Sequence, residues 1–66
     1  PTYAIISTGV FYAGNNDIFF QAFEGGDPIV VVGSTNASAL AATEKDLVYA
    51  NNSFQIVRYA HGKGAK

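Results

Sequence analysis

Apolar side chains come in blocks along this chain, and the gaps between blocks carry turn-forming residues. Residues 2–13 (TYAIISTGVFYA) combine β-branched and aromatic types with too much Gly and Thr for a helix, so they read as one long strand with a bulge at Gly9. Gly14-Asn15-Asn16-Asp17 turns the chain, and residues 18–23 (IFFQAF) form a second strand. Glu24-Gly25-Gly26-Asp27-Pro28 is the next turn, because two glycines supply positive φ and Pro28 has no N–H for a central ladder. Residues 29–32 (IVVV) then make a third strand, and polar turns this short join antiparallel neighbours.

After Gly33 the spacing changes. Ser34, Thr35 and Asn36 are good helix N-caps, and the stretch that follows places Ala37, Leu40, Ala41, Glu44, Leu47 and Val48 on one face at helical intervals, which predicts a helix over residues 36–49. Asn51-Asn52-Ser53 stops that helix, and residues 54–60 (FQIVRYA) give a fourth strand. The last segment, HGKGAK at 61–66, has little to bury and reads as a flexible tail. One domain over residues 1–60 follows, α+β in class, with the element order β-β-β-α-β. A helix returning over a three-stranded meander, with the right-handed preference of crossovers, sets the strands in the order 3-2-1-4 and packs on one face of the sheet.

That architecture leaves a surplus of apolar surface. Strand side chains alternate between faces, so a single helix carrying Leu40, Leu47 and Val48 shelters one face only. Runs such as IFF and IVVV lack polar alternation and resemble strands buried on both sides. Burying each large apolar side chain is worth about 1.5–3 kcal/mol, and a chain of 66 residues has little stability to spare. The second face is therefore expected to be covered by protein, either a second copy or a larger complex, through the face itself or an open strand edge. Phe19 and Phe23, flanking Gln21, are the expected anchors, with Arg58 at the rim. Closure into a small barrel, with both apparent faces turned inward, is the alternative.

Composition narrows the function classes. With 48% hydrophobic residues, 14% charged residues and a net charge of -1, the chain is neither a disordered tail nor a basic nucleic-acid module. Phe11, Tyr12, Phe19, Phe20 and Phe23 offer faces on which bases would stack, but four Lys and Arg residues give phosphates little to bind, so nucleic acid is not an expected partner. No apolar run approaches the roughly 20 residues of a spanning helix, and no secretion-signal layout is present. A soluble, cytoplasmic chain without a membrane partner is expected, and its low charge suits a subunit of a larger assembly such as a virus particle. The absence of Cys excludes disulfides and thiolate chemistry, and a single His excludes a multi-histidine metal centre within one chain.

No metal, cofactor or catalytic set is expected from the motifs. Pro1 is similar to the amino-terminal proline base of the 4-oxalocrotonate tautomerase family. That resemblance implies a long helix straight after the first strand and substrate-holding arginines, where this chain has strands and the single Arg58, so Pro1 reads as an ordinary processed terminus. Gly33-Ser34-Thr35-Asn36 at a helix start is a candidate anion or small-ligand site, although the Lys and second Gly of a phosphate loop are missing. Asp17 and Asp27 read as turn formers, and Glu44 as a boundary residue within reach of Arg58. His61 has no Cys, Asp or second His near it in sequence and reads as a solvated side chain. Asn36-Ala37-Ser38 and Asn51-Asn52-Ser53 match the glycosylation sequon, but cap and stop roles already account for them.

Overall fold

The computed structural model describes residues 2–65. It overturns the α+β expectation: seven strands form two antiparallel sheets, and no helix occurs among the described residues. Pro1, with the question of its amine, lies outside that range. The first sheet is a meander of β1 (Tyr3–Ile6), β2 (Gly9–Gly14), β3 (Asp17–Ala22) and β4 (Ile29–Val32), in that spatial order. The second is a meander of β5 (Ala39–Ala42), β6 (Asp46–Ala50) and β7 (Ile56–Ala60). The order 3-2-1-4, with a crossover helix, is thereby replaced by two up-and-down sheets.

The single strand expected over residues 2–13 is a hairpin. Ile6 pairs with Gly9 across Ser7-Thr8, and the inward parity switches from Ala4 and Ile6 to Gly9, Phe11 and Ala13. Gly9 is not a bulge. A Cβ there would overlap the Gln21 carbonyl oxygen and the Phe20 ring, so only glycine admits the close approach. The ladder irregularity falls instead in β4, where Ile18 pairs with Val32 and Phe19 with Val30, leaving Val31 as the extra residue. The turn at Gly14–Asp17 forms as the residue types imply, with Asn15 and Asn16 both at positive φ (48° and 69°), the geometry that matches hairpin twist.

The expected helix over residues 36–49 is the β5–β6 hairpin. Ala39 pairs with Ala50 and Ala42 with Leu47, and the turn between them is built on Thr43, whose Oγ1 accepts the N–H groups of Lys45 (3.2 Å) and Asp46 (3.0 Å). The preference of Ala and Leu for helix amounts to tenths of a kcal/mol per residue. Burial outweighs it, because Leu40, Leu47 and Tyr49 alternate with exposed or half-exposed neighbours and fill one side of a strand pair.

The inner faces of the two sheets share one core of Ile6, Phe11, Ile18, Phe20, Leu40, Leu47 and Tyr49. Phe11, Ile18 and Leu47 are completely enclosed, and the Phe11 and Phe20 rings meet at 4.8 Å. The loop from β4 to β5 is fixed to the β2–β3 turn: Thr35 N–H donates to the Asn16 carbonyl (2.7 Å) and Ser34 N–H to Asp17 Oδ1 (2.9 Å). No helix among the described residues is long and apolar enough to cross a membrane.

Two substitutions test this core. Phe11→Ala, which empties its centre, is expected to cost about 3–5 kcal/mol, a large share of a small domain's stability. Gly9→Ala is expected to destabilise through the Gln21 and Phe20 overlap although its side chain is one methyl. Urea unfolding followed by circular dichroism measures both.

Candidate functional site

The outer face of the four-stranded sheet follows from the strand register. Tyr3, Tyr12, Phe19 and Val30 lie in one cross-strand row, and Ile5, Val10 and Gln21 in the next. These residues alternate with the buried Ile6, Phe11, Ile18 and Phe20, so they point away from the core. Tyr12 and Phe19 stack at 5.4 Å with planes 21° apart, which fixes the middle of the row. Tyr3, Ile5 and Val30 stand out around that pair, with Ile5 61% exposed. A solvated antiparallel face ordinarily carries polar residues at these positions; here Gln21 is the one polar member of the two rows.

The expected anchors are only partly brought together. Phe19 sits in the aromatic row. Gln21 shares its face, but its Nε2 donates to the carbonyls of Ala22 and Gly26 (both 3.1 Å), bracing the turn after β3. Phe23 lies beyond the end of β3, where it lines a cleft of about 560 Å³ with Thr8, Phe20, Ala22, Glu24 and Lys63. Arg58 belongs to the other sheet, where its guanidinium pairs with Asp46 at 3.2 Å. Tyr3, Ile5 and Val30 were not singled out from the sequence. Hydrophobicity alone could not rank them, since the outward parity of Tyr3 and Ile5 appears only once the Ser7-Thr8 reversal is known, and that of Val30 only once the β3–β4 register is.

At Gly33–Asn36 the helix start is absent and the amides are engaged. Ser34 and Asn36 adopt positive φ (56° and 49°), and the N–H groups of Ser34, Thr35 and Asn36 donate to the Asp17 carboxylate and the Asn16 carbonyl. The carboxylate of Asp17 thus occupies the donor that a bound anion would need.

A second polar cluster joins the sheets at the other end. His61, expected in solvent, is buried: its ring lies 4.7 Å from that of Phe11. Its Nε2 is 2.9 Å from the Thr43 carbonyl, which only accepts, and its Nδ1 accepts the Lys63 N–H at 2.8 Å. The ring is therefore the neutral Nε2–H tautomer, with both nitrogens committed to the main chain. Glu44 takes the Ser7 hydroxyl and the Ser7 N–H (2.9 Å), and Oε1 also accepts the Ala65 N–H (3.3 Å). The Thr8 hydroxyl donates to the Lys63 carbonyl. Residues 61–65, read as a flexible tail, thus make these contacts with both sheets. Ser7, Glu44 and His61 lie in one region without forming a nucleophile–base pair, since neither ring nitrogen of His61 faces Ser7.

Comparison with protein-family models, curated proteins and solved structures finds no match for the chain.

The Ser7 hydroxyl, followed by the Ser7 N–H, holds the Glu44 carboxyl below its ordinary 4.5. A group whose folded value is depressed contributes stability above its unfolded value and loses it as pH falls through the folded one. Thermal melts are therefore expected to show a loss of Tm as pH drops below 4.5, and Glu44→Gln is expected to flatten that limb.

Proposed function

We propose that this protein is a non-enzymatic interaction module that docks the outer face of β1–β4 against another protein surface, a second copy or a larger complex. The observation that carries the reading is the row Tyr3–Tyr12–Phe19–Val30 with Ile5 beside it, held on a four-stranded sheet and left in contact with solvent. Covering each such side chain is worth about 1.5–3 kcal/mol before the cost of association. A few of them together rival the whole stability of a small domain. Aromatic side chains such as Tyr3 and Tyr12 on a rigid scaffold are also usual anchors of protein contacts, because little conformational freedom is lost on binding.

Edge pairing belongs to the same reading. β4 lies at the edge of its sheet with Ile29 and Val30 exposed and neither charge nor proline within it, so its outer N–H and C=O groups suit strand addition. The short length of β4 and the bulge at Val31 limit how many bonds an added strand could make.

The pair Tyr3→Ser and Ile5→Ser tests the face, because surface substitutions of this kind ordinarily shift stability by less than about 0.5 kcal/mol. The wild type is expected either to bind a dye specific for apolar surface or to self-associate in sedimentation velocity. The double variant is expected to lose whichever signal is present while its melting curve stays in place. A wild type showing neither signal, or a double variant that unfolds, would end the reading.

A further inference from the structure

Residues 61–65 form a strap across one end of the two-sheet core. Gly62 sits at φ 68°, which turns the chain so that the Lys63 N–H comes back onto the His61 ring at 2.8 Å. Gly64 passes so close to the β5–β6 turn that a Cβ there would overlap the Glu44 carbonyl. The Lys63 carbonyl accepts the Thr8 hydroxyl and the Ala65 N–H donates to Glu44 Oε1 (3.3 Å), so the β1–β2 and β5–β6 turns both hold the strap. The His61 ring lies against the fully enclosed Phe11 ring, and Gly62 and Lys63 form one wall of the cleft that Phe20 and Phe23 also line.

The turn at Gly62 depends on one lone pair. Nδ1 of His61 accepts the Lys63 N–H, while Nε2–H is committed to the Thr43 carbonyl at 2.9 Å. A second ring proton can go only to Nδ1, where it meets the Lys63 N–H with no acceptor between the two donors. At 7% exposure the ring has little access to water that could supply one. The charged residues around it do not supply one either. Glu44, on the β5–β6 turn, attracts an imidazolium, but its oxygens already take Ser7 and the Ala65 N–H. Asp46 on β6 is paired with Arg58, Glu24 lines the cleft with Lys63, and Lys45 meets His61 through its carbonyl, which accepts the His61 N–H (3.1 Å). The positive charges of Lys45 and Lys63 oppose a further cation.

We propose that residues 61–65 are a proton-operated latch: a proton taken up at His61 Nδ1 displaces the Lys63 N–H, frees the strap from Thr8 and Glu44, and opens the Phe20–Phe23 cleft towards Phe11. The added proton and the closed strap exclude one another, so the sign is fixed: the strap is closed at neutral and higher pH and released as pH falls. A solvated imidazole takes up its proton at about pH 6.5, and below that value opening gains about tenfold for each pH unit. The two sheets persist, because their ladders do not use the ring. The latch does not rest on the role proposed for the outer face of β1–β4.

The test is amide hydrogen exchange read by NMR from about pH 8 to pH 5, expressed as protection relative to an unfolded chain, with the imidazole signals of His61 followed in parallel. Protection of the Lys63 and Ala65 amides is expected to fall about tenfold per pH unit below about pH 6.5, in step with the ring, while the amides of β2 keep theirs. His61→Asn puts an amide oxygen near the Nδ1 position with nothing to titrate, and is expected to abolish the step. Glu44→Gln, which removes the carboxyl titration, is expected to keep it. Four results would each overturn the proposal: a ring that titrates while Lys63 stays protected, β2 losing protection together with the strap, a step that survives in His61→Asn, or one that disappears in Glu44→Gln. Should His61→Asn not fold, the wild type and Glu44→Gln decide the question.

Discussion

Everything in this fold depends on the contact between the inner faces of two small sheets. Neither sheet has a core alone: Phe11 and Ile18 on one side and Leu47 on the other are excluded from water only because each covers the other. A sheet with one apolar face must bury it against another layer, and joining the two removes both inner faces from solvent in one step. Strand alternation then dictates the rest. Whatever is not inside points directly away, so the identities of the outward residues become the surface properties of the molecule.

Polar groups secure that contact at its two ends. At one end the β2–β3 turn holds the connection between sheets through Asn16 and Asp17, with main-chain amides of residues 34–36 as donors. At the other, Glu44 and His61 gather main-chain groups from the β1–β2 turn, the β5–β6 turn and the carboxy-terminal segment. Every buried side-chain nitrogen or oxygen among the described residues has a partner, so the joint carries no unsatisfied group that would weaken it. His61 is the clearest case of a reactive residue type put to structural use, since a ring with both nitrogens committed has no lone pair left for chemistry.

The outer faces differ in character. That of β1–β4 is broad, aromatic and almost without charge; that of β5–β7 is narrower, alanine-lined, and bounded by the Arg58–Asp46 pair at one end and the Phe54 loop at the other.

Several features were legible in the residues alone: the turns at Gly14–Asp17 and around Gly25-Gly26, and strands close to those expected over 18–23, 29–32 and 54–60. The reason is that β-branched and aromatic runs, paired asparagines and paired glycines act locally. The β5–β6 hairpin, the reversal at Ser7-Thr8, the burial of His61 and the outward parity of Tyr3 and Ile5 were decided only in three dimensions. For residues 36–49 helical spacing and strand alternation fit the same apolar positions, and the deciding energy was burial of Leu40, Leu47 and Tyr49 against Phe11 and Ile18, which lie far away in sequence. Periodicity reports what a segment can bury; what it does bury depends on which distant face arrives to meet it.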